Sequence, residues 1–471
     1  MTPEQSLLPG LKTPLWKHQP RMLNFALEKR NVMFAAWMGS GKSLATLAVI
    51  TARQHKRILI VCPLPVVGSW ENQLVEHADF PYVFARLDKG AIANRLSHAR
   101  LALHNAAILG CPYLAAINYE SVWREPFASW VLQAGLDLIV CDESHRMKKN
   151  GGRMGMYGMR LGRIAPYRLA LTGTPFAHSP MSIFSQFRFV EPSVFGTRYV
   201  PFRDRYAIMG GYQGRQIIGY QNMEDLKEKF HSRAIVISRE ESLPDLPPQT
   251  FMERTTTFSP KIERLYRSLH REFYAQVANG EVTAGNALVK LLRLQQLTSG
   301  HVTLDDGTSK WVSDHKKDLL RDTLEDLDEP VVVFARFTRD LDIVREVTEY
   351  LGRTYGEVSG RRKDLTDAAK MPLEVNILGV NIQAGGVGID LNRAATSIWY
   401  STGFSLADYE HALARLHRPG QTRHVTHIHL ITENSVDRTV RRALAARKEV
   451  VQAIMEHRYV NGDKRLENES P

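Results

Sequence analysis

The sequence predicts an α/β protein: two parallel-sheet halves with a largely helical stretch between them. Two observations carry the prediction. Short, predominantly apolar runs recur at 32–36, 58–62, 136–141 and 167–171, and again at 331–335, 375–379, 397–400 and 425–431. Runs of this length without polar alternation are strands buried on both faces of a parallel sheet. Between the two sets, helix-spaced patterns dominate. The expected division is a first half over 1–175, a helical insertion over 176–314, a second half over 315–458, and a polar tail over 459–471 that frays.

The bulk properties narrow the class. A chain of 471 residues exceeds one ordinary domain. Its 44% hydrophobic and 24% charged content suits a globular protein with a large core. A net charge of +11 and a pI near 9.4 point to a polyanionic partner, nucleic acid first. The 3 cysteines, Cys62, Cys111 and Cys141, are far apart and form no C-x-x-C pair. This fits a reducing compartment and argues against a disulfide framework or cysteine zinc site. No apolar run approaches the ~20 residues of a membrane span, and no basic-then-apolar leader opens the chain. The expectation is a cytoplasmic protein, nuclear only in a host with a nucleus, with no membrane partner.

In chain order, Leu15-Trp16-Lys17-His18-Gln19 precedes a helix over 21–29. A glutamine amide upstream of a phosphate loop is suited to pair with the adenine edge, though a surface glutamine at a helix start is commoner. Residues 32–43, VMFAAWMGSGKS, read as strand, glycine-rich turn and helix start. Gly39, Ser40 and Gly41 let backbone N–H groups approach phosphate oxygens. Lys42 would reach the β/γ-phosphates, and the Ser43 hydroxyl would ligate Mg²⁺. Ala36 stands where the strict motif has its first glycine.

After the run 58–62, Pro63-Leu64-Pro65 breaks the strand and 66–75 takes helical spacing, with Trp70 on it. Residues 115–120 make another strand-to-loop transition. The run 136–141 then enters Asp142-Glu143-Ser144-His145. An NTPase needs two carboxylates there, one to hold Mg²⁺ and one to orient and deprotonate the attacking water. An isolated Asp-Glu pair is a solvated loop; at a buried strand end downstream of a lysine loop it is a catalytic pair. From 144 to 175 there is no acidic residue, while Arg146, Lys148, Lys149 and Arg153 follow closely. Such a stretch either grips phosphate backbone or forms a solvated basic face. The strand 167–171 ends in Thr172-Gly173-Thr174-Pro175, small hydroxyl residues placed to sense a phosphate or a partner strand.

Helices are expected at 181–189, 224–230, 260–277 and 282–297, broken by a proline-rich joint over 243–248. In the second half, a glycine-rich loop with Gly385 and Gly386 ends at Asp390. Arg415 and Arg418, three apart, fall on one helix face. They would reach a γ-phosphate across a cleft, or lie in solvent. His424, His427 and His429 invite a metal, but without a third ligand or a cysteine nearby they read better as core or edge histidines.

The ordered set of Gln19, MGSGKS, ILIVCPLPVVGSW, INYES, DESH, LALTGTP, VVVFARFTR, QAGGVGIDL and ARLHRPGQ resembles the Swi/Snf-type branch of the superfamily-two helicase-like ATPases. The likeness runs from roughly Leu15 to Leu444. It implies two RecA-like lobes around an ATP cleft, both holding one strand of duplex DNA, and stepping as the cleft closes and opens. By this resemblance Gln19 reads adenine, Lys42 and Ser43 hold phosphates and Mg²⁺, Asp142 holds Mg²⁺ and Glu143 is the base. Arg415 and Arg418 are arginine fingers, Asp390 lies near the ribose, and Thr172, Gly173 and Thr174 couple the sites. Lys148, Lys149 and Asn150 with Gly385 and Gly386 would meet DNA. Ser144, Ala36, His411 and Asp390 depart from the branch's usual residues and remove no catalytic group.

The leading expectation is therefore a monomeric, DNA-stimulated ATPase that uses ATP and Mg²⁺ to translocate on double-stranded DNA. It would remodel or displace bound complexes, with a protein partner among its targets. Without an appended chromatin-reading module it suits a bacterial or phage setting. The alternatives are a strand-separating DNA or RNA helicase and an ATP-gated nucleic-acid clamp or adaptor. A helicase needs a wedge such as a β-hairpin, and none is legible.

Overall fold

The predominantly apolar runs become the centres of two parallel sheets. The structure is a computed structural model and describes residues 7–147, 152–176, 179–211, 214, 216–278, 284–304, 308–366, 369–383 and 389–455. The chain divides into two compact units, 1–244 with 449–471, and 245–448.

In the first unit the strands are β1 (Asn31–Ala36), β2 (Arg57–Cys62), β3 (Val83–Leu87), β4 (Tyr113–Asn118), β5 (Leu138–Asp142) and β6 (Tyr167–Thr172). A hairpin, β7 (Ala207–Gly210) and β8 (Gln216–Tyr220), and then β9 (Ala234–Ile237) follow. The 7-stranded sheet has the order β3-β4-β2-β5-β6-β1-β9, with every pairing parallel. Alternation explains why its runs are apolar throughout. Met33, Ala35, Leu59, Val61, Ile139 and Cys141 enter the core on one face. Val32, Phe34, Ile58, Ile60, Leu138 and Val140 enter the core on the other. The order β5-β6-β1 matters most, because the three candidate motifs follow these adjacent strands at one edge. Asp142 pairs with Leu171, and Ala35 with Thr172. Open parallel sheets bind ligands at such carboxyl ends.

The second unit contains β10 (Gln249–Thr256), a short hairpin of β11 (His301–Thr303) and β12 (Ser309–Trp311), then β13 (Val331–Ala335), β14 (Tyr355–Val358), β15 (Ile377–Asn381), β16 (Thr396–Trp399) and β17 (Val425–Thr432). Its 6-stranded parallel sheet has the order β10-β17-β16-β13-β15-β14. Val331, Val333, Ile377, Ile398 and Ile428 pack there with Leu320 and Leu324 of the helix His315–Glu325 and with Ile343 and Val344 of the helix Thr338–Tyr350.

The segment 176–314 differs from the expected helical insertion. Its helices Ile183–Val190, Met223–His231, Pro260–Ala278 and Ala284–Thr298 are present, but strands lie among them. β9 joins the first sheet beside β1, and β10 joins the second beside β17. The two units meet in sequence at Pro244 and Asp245, inside the proline-rich joint, so the segment is shared between them. The physical reason is length and position. A four-residue run such as Ala234–Ile237 is too short for periodicity to separate strand from helix. β10 is an edge strand with mostly exposed residues, so it lacks the apolar signature. A β-hairpin not legible in the sequence is present: β7 and β8 pair antiparallel with a register irregularity at Ile208 and Met209.

His427 and His429 are core residues. His427 Nδ1 lies 2.7 Å from Ser397 Oγ, and the His429 ring stacks on Trp399 at 5.4 Å. Among the described residues no helix is long and apolar enough to cross a membrane.

Candidate active site

The phosphate loop is shaped by backbone requirements. β1 ends at Ala36, and helix α1 (Lys42–Ala52) begins six residues on. Gly39 and Gly41 sit at φ 80° and 69°, conformations that L side chains rarely adopt. A Cβ at Gly41 would also collide with the Gln19 amide nitrogen. The first N–H groups of α1 have no intrahelical acceptor and present the positive dipole end. Lys42 Nζ donates to the carbonyls of Ala36 and Trp37 at 2.9 and 3.0 Å. Two of its three donors are thus engaged. Burial lowers the Lys42 pKa from its ordinary value, while Glu143 and Asp142 work against that fall.

Gln19 is fully buried and braces this loop. Its Nε2 donates to Gly41 O at 3.0 Å, and its Oε1 accepts from Trp16 N at 2.8 Å. His18 Nε2 lies 2.7 Å from Ser40 O, so the two side chains hold consecutive carbonyls of the turn. Burial holds the His18 pKa below its usual range. The neutral ring then donates from Nε2.

The carboxylates follow β5. Asp142 Oδ2 accepts from the Trp70 indole N–H at 3.1 Å, and Oδ1 from Glu143 N at 2.9 Å. The Tyr119 hydroxyl donates to Asp142 O at 2.8 Å. Burial raises the Asp142 pKa, the Glu143 charge adds to the rise, and Lys42 opposes it. Glu143 occupies left-handed backbone at φ 53°, a conformation of order 1–3 kcal/mol for a non-glycine residue and common at active sites. Its Oε2 is 3.3 Å from His145 Nδ1, which lies 3.2 Å from Thr172 Oγ1. Thr172 Oγ1 accepts in turn from Thr174 N at 3.1 Å. A polar chain therefore runs from the second carboxylate into the Thr172–Thr174 turn. Gly173 packs closely on the phosphate loop: a Cβ there would lie 3.0 Å from Met38 Cγ. Ser144 Oγ donates to Gln186 Oε1 at 2.9 Å, and Gln186 Nε2 donates to Pro175 O at 2.7 Å. This fastens the acidic motif to the end of the threonine turn.

The second unit gathers Asp390, Arg415 and Arg418. Arg418 Nη1 donates to Ile389 O at 2.9 Å, with Nε 3.9 Å from Asp390 Oδ1. Leu391 N donates to Arg415 O at 3.1 Å, tying the helix end to the Asp390 turn. The arginines do not share a helix face. The helix Leu406–Leu416 includes Arg415 in its last turn, and Arg418 lies beyond His417. Arg418 precedes Pro419, and a residue before proline is pushed out of the helical region. His417 Nε2, 2.6 Å from Pro247 O, secures the exit.

The first-unit residues Gln19, Gly39, Ser40, Gly41, Lys42, Ser43, Asp142, Glu143, Thr172, Gly173 and Thr174 thus belong to one strand edge. Lys148, Lys149, Asn150, Gly385, Gly386 and the tail 459–471 lie outside the described residues. Sequence reasoning noted Trp70 and Tyr119 without a role and missed Gln186. The site's chemistry fits a nucleoside triphosphate with a divalent cation. It has a half-buried lysine, a helix start and a strand-end carboxylate. The buried Ser40 Oγ has no hydrogen-bond partner among the described residues. Lys42 and the loop would hold phosphates; Ser43 and Asp142 would hold the cation.

Comparison with known proteins gives a consistent result. Residues 18–301 match the family model of the SNF2-related domain, and residues 315–420 that of the helicase conserved C-terminal domain. The chain is 24% identical over 434 residues to chromodomain-helicase-DNA-binding protein 1-like of Danio rerio, covering 86% of this chain and 40% of that protein. It is 24% identical over 431 residues to DNA repair and recombination protein RDH54 of Saccharomyces cerevisiae, covering 82% of this chain and 45% of that protein. The chain therefore spans less than half the length of these curated relatives. A solved Sulfolobus solfataricus SWI2/SNF2 ATPase core in complex with dsDNA aligns with 99% of this chain and 97% of that one, at 20% identity and a TM-score of 0.45.

Proposed function

The chain belongs to the SNF2-related family and carries a helicase conserved C-terminal domain after the SNF2-related domain; from that premise we propose that it is a DNA-stimulated ATP hydrolase. It converts hydrolysis into movement along intact duplex DNA and so remodels or displaces what is bound there. The observation that supports this reading best is the cluster of Lys42, Asp142 and Glu143 at one strand edge, joined through His145 to Thr172. ATP would supply the anhydride to be cleaved, and Mg²⁺, held by Ser43 and Asp142, would neutralise phosphate charge. The chain's residues do the rest. Lys42 and the α1 N-terminus hold the phosphates, Ser43 and Asp142 hold the cation, and Glu143 takes the proton of the attacking water. The chain His145–Thr172–Thr174 passes the state of that carboxylate to the neighbouring turn. Gln19 belongs to the nucleotide site through the loop it braces. From the second unit, Arg415 and Arg418 stabilise the γ-phosphate charge and Asp390 serves the ribose.

The net charge of +11 and the DNA-related names of the relatives support duplex DNA as the track. Binding through phosphates, with Lys148, Lys149, Asn150, Gly385 and Gly386 as the contacts, is weakly sequence-specific and steeply salt-dependent. Strand separation has one observation in its favour, the β7/β8 hairpin, where Ile208, Ile217 and Ile218 are exposed. The test compares ATPase activity with duplex DNA, single strands, RNA and no nucleic acid, alongside triplex displacement and unwinding of a forked duplex. Translocation gives strongest stimulation by duplex, ATP-dependent release of the third strand and an intact fork. Fork unwinding without triplex release, lost when Ile217 and Ile218 become serine, would replace it with the helicase reading.

A further inference from the structure

Two aromatic residues from other elements converge on Asp142. Trp70 lies on helix α2 (Val67–His77), whose buried positions Val67, Trp70 and Leu74 place it in the core. Its indole has a single donor, and that donor meets Asp142 Oδ2 at 3.1 Å, 72 residues away in sequence. Tyr119 follows β4, is 3% exposed, and donates to the backbone carbonyl of the same aspartate. A buried indole N–H or phenol O–H needs a partner, but that partner need not be the same residue for both. Here both polar atoms point at one residue, one to its side chain and one to its main chain.

We propose that Trp70 and Tyr119 are positioning residues for the cation-holding carboxylate. Tyr119 fixes the end of β5. Trp70 fixes the rotation of the carboxylate, whose other oxygen is held by Glu143 N at 2.9 Å. One lone pair on each oxygen remains for a divalent cation, and the carboxylate presents them without first having to be ordered. Partners of this kind contribute about 10–100-fold to metal affinity or activity. The inference rests on the reading of Asp142 as a cation ligand.

The test measures binding, with no turnover involved. A fluorescent, non-hydrolysable ATP analogue is titrated into the full chain with Mg²⁺ and again in EDTA. The ratio of the two affinities is the cation's contribution. Asp142→Asn should collapse the wild-type ratio. Trp70→Phe, which removes the N–H and keeps an aromatic ring, should lower it about tenfold. Tyr119→Phe should lower it about fivefold, the equivalent of one ordinary hydrogen bond. Affinity in EDTA should be unchanged in both, which a general packing defect would not spare. A wild-type ratio near one, or an Asp142→Asn protein like wild type, overturns the assignment of the site. An intact ratio in folded Trp70→Phe with a responsive Asp142→Asn overturns the positioning role alone. Should Trp70→Phe fail to fold, Tyr119→Phe, which removes one oxygen and no ring, decides between the same two outcomes.

Discussion

The nucleotide-site residues of the first unit and the arginines of the second are built on opposite principles. In the first unit Asp142 and His145 are buried and Lys42 is half-buried, and each is held by a partner: Asp142 by Trp70, Lys42 by two backbone carbonyls, His145 by Thr172. In the second unit Arg418 is one-third exposed and rests on a carbonyl and a distant carboxylate. The difference teaches which part is fixed before ligand arrives. A buried charge network is costly to assemble and, once assembled, rigid. The Arg418 guanidinium, on a turn beyond a helix end, has the sparser support.

Lys42→Ala should have the largest effect. It removes the loop's cation, so both nucleotide affinity and turnover fall to background in a filter-binding and phosphate-release assay. Glu143→Gln should separate the two properties. Turnover drops by about 10²–10⁴-fold, the range for a lost general base, while ATP is retained. Near-normal turnover in Glu143→Gln breaks the comparison at its root, because the acid pair would then be part of the scaffold.

Arg418→Ala probes the second unit. An arginine finger contributes about 10³–10⁵-fold in phosphoryl transfer. We expect DNA-stimulated turnover to fall by about 10³-fold, with nucleotide affinity within twofold of wild type (roughly 0.4 kcal/mol). A matching loss of affinity would show that the residue holds ground-state nucleotide, and the contrast between the units would narrow. Unchanged turnover would leave Arg418 as a residue that merely ties down the Asp390 turn.

Most of the site was legible because its chemistry lies within short segments. The strand-turn-helix around Lys42 and the strand-to-acid transition at Asp142 each need fewer than about fifteen residues to be read. The central strands were legible because burial on both faces leaves no polar alternation. Three things were hidden. β9 is four residues long and β10 is an exposed edge, so neither carries a period to read. The exit of Arg418 from the helix depended on Pro419, whose effect on its predecessor overrides the i, i+3 spacing. The contacts of Trp70, Tyr119 and Gln186 are tertiary. Spacings of 72, 23 and 42 residues are invisible to any local pattern.

The smallest expected effect tests how firmly the first unit is fastened. Ser144 follows the acid pair, and its hydroxyl is the donor to Gln186 Oε1. Both side chains are fully buried. Ser144→Ala leaves a buried carbonyl oxygen without its partner, which costs about 1–3 kcal/mol. That should appear as an earlier first transition in denaturant, with turnover lowered only a few-fold because Lys42, Asp142 and Glu143 keep their own supports. Removing both partners of a buried hydrogen bond is far less costly than removing one. Gln186→Leu on the Ser144→Ala background should therefore recover part of the lost stability. It will not recover all of it, since Gln186 Nε2 also donates to Pro175 O and Ser182 O. A double-mutant cycle gives the coupling between the two side chains. Strict additivity would mean that Ser144 and Gln186 are independent, and that the acidic motif is joined to the threonine turn by the His145–Thr172 contact alone.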